Sequence, residues 1–174
     1  LHLDAAGASR QLLQTEARMG AVLAGRIFGE DELTWLAASW DSTLTVLTPQ
    51  GDLRAKITLP RTGHMPGWGR ALALADLDGD GRLWPIVGTA AWYVHAVNPD
   101  WSFRWTFPTT AHSVTRLAVA DINRDGRDEI AVATVYFCVP AVTADGARLW
   151  ADEDYNDHWM AGPNFTELAV ADVD

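Results

Sequence analysis

The sequence predicts an all-β chain assembled from repeated four-strand units of about 45–50 residues. Three observations predict it. First, an oxygen-rich loop, Asp121-Ile122-Asn123-Arg124-Asp125-Gly126-Arg127-Asp128-Glu129, recurs as Asp76-Leu77-Asp78-Gly79-Asp80-Gly81-Arg82 and begins again at Asp172-Val173-Asp174. Second, another landmark keeps the same register: Val46-Leu47-Thr48-Pro49-Gln50-Gly51 matches Ala96-Val97-Asn98-Pro99-Asp100-Trp101 and Ala141-Val142-Thr143-Ala144-Asp145-Gly146. Third, no stretch carries a firm helical period. Arg10–Met19 comes nearest, and the register reads it instead as a last strand plus a connection.

The units follow from that register. His2-Leu3-Asp4-Ala5-Ala6-Gly7 fits the second landmark, so residues 1–19 read as the end of one unit and its connection. Residues 20–69 form a unit whose loop is degenerate, and residues 70–114 and 115–166 form units with the oxygen-rich loop. Residues 167–174 start the next unit. Within the third unit, Thr115–Ala120 and Glu129–Thr134 flank the loop as strands. Tyr136–Thr143 is the third strand, Ala144-Asp145-Gly146 a tight turn, and Ala147–Ala151 the fourth strand. Four short strands per unit of this length are the pattern of β-propeller blades. A lone blade cannot bury both faces, and rings contain about 4–8 blades. The expectation is therefore a single propeller domain present as an incomplete ring, with the remaining blades as its partners.

Composition narrows the function classes. A hydrophobic fraction of 48% over 174 residues supports one sizeable core and excludes a disordered chain. A net charge of −10 argues against nucleic acid or an anionic membrane as partner. No apolar run reaches the ~18 residues of a membrane-spanning helix. Cys138 is the only cysteine, so no intrachain disulfide forms.

The loops carry the clearest chemistry. Asp121, Asn123, Asp125 and Glu129 place oxygens at alternate positions, Gly126 permits a sharp bend, and the Arg127 carbonyl supplies another oxygen. Asp76, Asp78, Asp80 and the Arg82 carbonyl repeat the set, with Trp84 in place of the ninth-position acid. Asp172 and Asp174 open a third copy. All these ligands are oxygens, which selects Ca2+ over zinc, and the flexible loop disfavours the strict octahedron of magnesium. In the 20–69 unit Arg26 and Phe28 replace the first two ligands, so no ion is expected there. An EF-hand is excluded because Val87 and Val132 stand where its twelfth-position Glu would be and a strand follows.

Leu117-Ala118-Val119-Ala120 followed by the 121–129 loop and Ile130-Ala131-Val132 resembles the FG-GAP/VCBS repeat propellers, as does Leu72-Ala73-Leu74-Ala75 followed by Asp76–Gly81. That family includes the calcium-binding blades of integrin α-subunits and secreted bacterial propellers. The resemblance implies calcium-binding blades and an extracellular or cell-surface setting. External calcium is millimolar, which suits the ~10⁻⁴–10⁻³ M affinity of extracellular modules.

Alternating strand direction puts the cation loops on one face and the inter-unit connections on the other. The second face gathers His64, Trp68, His112, His158 and Trp159 from connections, and Trp40, Asp41, Trp92, Tyr136 and Phe137 from the loops between second and third strands. Such rings pack between blades or stack on a ligand. His64, Trp68, Trp92, His112, Tyr136, His158 and Trp159 are the expected ligand-binding residues. The expected function is non-catalytic: extracellular adhesion, or carbohydrate or protein recognition, with the glycan or protein partner on the face opposite the calcium loops. One alternative is a calcium-dependent polysaccharide lyase, with Arg70, Arg116 or the connection histidines as base. Another is a structural repeat in a surface filament. No GxSxG, HExxH or phosphate-loop motif occurs, and no catalytic residue is assigned.

Overall fold

The computed structural model describes residues 2–3, 9–63, 65–109, 112–135, 139–150 and 168–171. Among the described residues the regular secondary structure is entirely β, and no helix is long and apolar enough to cross a membrane. A short antiparallel pair, β1 (His2–Leu3) and β2 (Ser9–Arg10), opens the chain. Three four-stranded sheets follow. Sheet 1 contains β3 (Met19–Gly25), β4 (Thr34–Ser39), β5 (Thr43–Leu47) and β6 (Leu53–Thr58). Sheet 2 contains β7 (Gly69–Ala75), β8 (Trp84–Thr89), β9 (Tyr93–Val97) and β10 (Phe103–Pro108). Sheet 3 contains β11 (Val114–Ala120), β12 (Glu129–Thr134), β13 (Ala141–Val142) and β14 (Arg148–Trp150). In every sheet the spatial order is the chain order and all neighbours are antiparallel.

The turns explain why each unit folds the same way. The third-to-fourth-strand hairpins close identically: Gly51, Trp101 and Gly146 donate their N–H to the carbonyls of Thr48, Asn98 and Thr143. All three residues hold a left-handed backbone, at φ 93°, 66° and 81°. Glycine adopts that conformation without strain, and Trp101 is the exception held there by packing. At the opposite end, Trp40, Ala90 and Val135 donate to the carbonyls of Arg18, Trp68 and Ser113, each one residue before its first strand.

Two prolines shape the ladders. Pro85 stands in central strand β8, and the β8–β9 pairing begins only at Ile86↔Ala96, whereas β4–β5 already pairs at Trp35↔Leu47. In sheet 3, where a strand is expected over 136–143, Ala141–Val142 is the part that is a strand among the described residues. Pro140 accepts a bond from the Val132 N–H but has no N–H to return. Residues 136–138 lie outside the described residues.

The sheets stack face to face in one repeating register. Leu36, Ala38, Leu44, Val46 and Ile57 of sheet 1 pack against Leu72, Leu74, Val87, Val97 and Phe103 of sheet 2. One unit on, Ile86, Val94, Ala96 and Phe107 of sheet 2 pack against Leu117, Val119, Val132 and Val142 of sheet 3. First strands meet at this stack, with β7 against both β3 and β11. Small residues set the approach there. A Cβ on Gly69 would stand 2.5 Å from the Ala38 Cβ, and one on Gly88 would stand 2.4 Å from Val114 Cγ1.

Candidate functional site

Each loop between first and second strands starts from the same scaffold. Its second residue is apolar and tucked inward: Ile27 and Leu77 are fully buried. Its fourth residue, Gly29, Gly79 or Arg124, is left-handed at φ 78°, 71° and 62°. For the two glycines the reason is also steric. The side chain of the next sheet's arginine, Arg82 or Arg127, lies where a Cβ would project, and at Gly79 the Gly126 carbonyl is only 2.7 Å from that point.

In the 121–129 loop the carboxylates fold back on the chain. Asp121 accepts the N–H groups of Asp125 and Gly126, both at 3.0 Å. Glu129 is fully buried and accepts the N–H groups of Ile122 and Asn123 at 3.0 and 3.1 Å. The Asn123 Nδ2 then bridges Asp125 Oδ2 at 3.1 Å and Glu129 Oε1 at 3.2 Å. Asp125 also engages Arg127, and hydrogen bonding from the Arg127 backbone leads the causes that hold its pKa low. Glu129 therefore presents a buried carboxylate whose described partners are all neutral. An unpaired buried charge is costly, and a hard cation among these oxygens would relieve it. The side-chain donors this loop would offer such an ion are oxygens, the kind calcium takes.

The 76–82 loop spends its acids differently. Asp76 accepts three loop N–H groups, from Gly79, Asp80 and Gly81 at 2.9, 3.2 and 2.7 Å. Asp78 is held by a two-pronged pair with Arg104, at 2.6 and 3.0 Å, and this bond holds its pKa low. Asp80 takes the Arg82 Nε at 2.7 Å. At the ninth position Trp84 lies under the Arg104 guanidinium, 4.5 Å from ring centre to carbon. Guanidinium groups thus supply the positive charge that an ion would bring. Sheet 1 inverts the loop altogether. Arg26 donates its Nε to the Asp31 carbonyl at 2.8 Å, and Phe28 inserts edge-on between Trp84 and Trp101 at 5.3 and 5.9 Å.

The loops are also tied to one another. Asp76 and Asp128 exchange two bonds: the Asp128 N–H donates to the Asp76 carbonyl at 2.8 Å, and the Asp76 N–H donates to Asp128 Oδ2 at 2.7 Å. The Phe28 N–H donates to the Leu83 carbonyl at 2.9 Å. Among the described residues no three His, Cys, Asp or Glu side chains converge closely enough to hold an ion by themselves. A cavity of about 400 Å³ opens beside Glu30, Asp31 and Glu32, next to the bidentate Glu30–Arg54 pair.

At the other edge of the sheets, Trp68 lies flat against Trp40, with ring centres 5.0 Å apart and planes 8° from parallel. The Arg18 guanidinium lies 4.2 Å from the Trp40 ring centre. Trp92 is half-buried in the β8–β9 turn at φ 70°, the left-handed position Ser42 holds in sheet 1. The preceding residue, Ala91, accepts the Thr62 hydroxyl at 2.6 Å, which fastens the connection between sheets to this turn. His112 is half-buried, and burial lowers its pKa. Of the other expected residues, His64, Tyr136, Phe137, His158, Trp159, Asp172 and Asp174 lie outside the described residues. Sequence reasoning did not single out Arg18, Arg54 or Arg104. The 50-residue spacing of Arg54 and Arg104 was the available signal for that pair. Arg18 stands alone in register and gave none.

No protein-family model and no curated protein matches this chain.

Proposed function

We propose that the three sheets are blades of an FG-GAP/VCBS-type β-propeller, a non-catalytic extracellular module for carbohydrate or protein recognition stiffened by calcium. One observation carries the ring. The register that partly buries Leu72 and Phe103 between sheets 1 and 2 leaves their counterparts Val22 and Leu53 on sheet 1 at 59% and 64% exposure. Head-to-tail stacking of this kind closes only when further sheets cover that face. The buried, neutrally bonded Glu129 supports one calcium site in the 121–129 loop. The arginine-paired 76–82 loop binds more weakly.

The recognition surface is the edge opposite those loops, where Trp68 and Trp92 are both half-buried and so keep ring surface open to a partner. Binding on a glycan array tests the reading. Trp92→Ala is expected to weaken glycan capture at least about tenfold, the scale of losing one stacked ring at a sugar site. The same substitution leaves the loop carboxylates untouched and their calcium response intact. An array with no glycan signal from the wild-type chain removes the carbohydrate reading.

A further inference from the structure

The edge opposite the cation loops gathers positive charge in a chain whose net charge is −10. Arg18 immediately precedes β3, Arg70 lies on β7, and Arg116 lies on β11, so each of the three stacked sheets contributes one arginine at the same end of its first strand. Arg18 and Arg70 lie 4.2 and 5.8 Å from the centre of the Trp40 ring. Burial first, then the nearby charges of Arg18 and Arg116, depress the pKa of Arg70, so Arg70 sits between the two other guanidiniums in electrostatic terms.

No carboxylate pairs with any of them among the described residues. Four arginines at the loop end do have such a partner: Arg54 with Glu30, Arg82 with Asp80, Arg104 with Asp78, and Arg127 with Asp145. The acid adjacent in sequence, Asp41, is engaged instead by the Ser39 hydroxyl. Among the described residues, Arg116 donates a hydrogen bond to the Thr115 carbonyl at 2.8 Å.

Like charges repel, so gathering three without a counter-ion costs stability unless a ligand supplies the anion. The stack on Trp40 adds a second argument. Trp40 is covered by Trp68 on one side and by Arg18, so its ring is not a platform for a sugar. It works instead as a brace against which the Arg18 guanidinium rests, 4.2 Å from the ring centre. A guanidinium matches a planar carboxylate in two-pronged fashion, and bracing reduces the entropy lost on binding.

We infer that Arg18, Arg70 and Arg116 form a carboxylate-binding subsite for an acidic polysaccharide of the uronate class. The inference rests on the recognition reading above and specifies its ligand. Successive sheets present one guanidinium each, a row suited to a polymer that repeats its carboxylates, and the neighbouring indoles of Trp68 and Trp92 suit sugar rings.

Titration calorimetry on the intact chain tests it with three probes. These are an oligogalacturonate too short to gel, its fully methyl-esterified form, and an oligo-L-glutamate with the same number of carboxylates. Oligogalacturonate is expected to bind, and the ester and the peptide to bind at least about tenfold more weakly, the scale of one lost charge-assisted bond. Arg18→Gln and Arg116→Gln change exposed side chains, which protects the fold, and each is expected to lower oligogalacturonate affinity about tenfold.

Unchanged affinity in both variants overturns the subsite. Oligoglutamate binding as tightly as oligogalacturonate overturns the sugar assignment and points to an acidic peptide. Equal binding of the ester, insensitive to both substitutions, overturns the subsite and leaves glycan recognition standing. Failure of every saccharide to bind overturns both.

Discussion

The contact between Gly88 and Val114 gives the most direct test of how the sheets stack. Gly88 is on β8, Val114 is fully buried at the start of β11, and a Cβ at 88 would lie 2.4 Å from Val114 Cγ1 and 2.9 Å from its Cβ. One unit earlier the same register pairs Ala38 with Gly69, so the larger partner has changed sides. Gly88→Ala therefore overfills the joint. Overpacking of one methyl costs about 1–3 kcal/mol. Relief of glycine's backbone entropy in a strand returns about 0.5–1 kcal/mol, which leaves a net loss of about 1–2 kcal/mol. Val114→Ala removes two buried methyl groups and costs about 2 kcal/mol with its cavity. In the double variant the new methyl enters the space vacated by the γ-methyl groups, while its 2.9 Å approach to the retained Cβ at position 114 stays. The double variant's loss is expected to fall short of the sum of the single losses by about 1 kcal/mol. Urea unfolding of the four proteins reads this directly. A double variant whose loss equals the sum of the single losses within about 0.5 kcal/mol refutes the joint.

Calcium removal by EGTA is expected to lower Tm. A site filled at ten times its Kd contributes about 1.4 kcal/mol, or roughly 3–6 °C for a domain of this size. Glu129→Gln should abolish that shift and Asp78→Asn, whose carboxylate Arg104 already holds, should largely preserve it; a Tm indifferent to EGTA sinks the calcium reading. His95 is fully buried, shares a hydrogen bond with Thr106, and is driven by burial to a pKa of about 4 from 6.5. Between those values the unfolded chain binds the proton and the folded chain does not. Stability should fall as pH drops from 6.5 to 4, by about 3 kcal/mol. His95→Thr, the residue at the matching position 45, should remove that component from urea midpoints measured at pH 7 and pH 4.5. Gly146→Ala forces a left-handed alanine whose Cβ meets Trp105 Cγ at 2.6 Å, and should cost at least about 2 kcal/mol by thermal melting.

The strand plan was legible because turn chemistry repeats with the register. The turn landmarks at 51, 101 and 146 and the loop starts at 26, 76 and 121 locate nearly every described strand. The absence of a helix over 10–19 followed from that register too, and β3 begins at Met19 as a first strand. The short β13 was visible in principle, since Pro140 cannot complete a central ladder. Less legible was the choice of partner for each loop acid. Nothing local to Asp78 reveals that Arg104, 26 residues on, will reach it, because that contact depends on how the fourth strand lies beside the loop. Nor does Phe28 announce that it will wedge between two tryptophans of the next sheet. Alternating oxygens predict that a cation is wanted; they do not say whether an ion or a guanidinium meets the need.

That distinction orders the three loops. Sheet 1 has dispensed with the negative ring, and an arginine now occupies its first position and bonds a carbonyl. Sheet 2 keeps the acids but answers two of them with Arg104 and Arg82. Sheet 3 keeps a buried acid bonded only to neutral donors. One charge problem thus receives three local answers on a common backbone, while Asp76 and Asp128 tie two of the answers together across the sheet boundary. A cation drawn to Glu129 would tighten the loop that carries Asp128 and, through its two bonds, the first residue of the neighbouring loop. Under the calcium reading, stiffening by one ion therefore extends past its own sheet. Its effect reaches the stack on the Asp76 side and not the 26–34 loop, whose bond to Leu83 is made by a residue without a ligand oxygen.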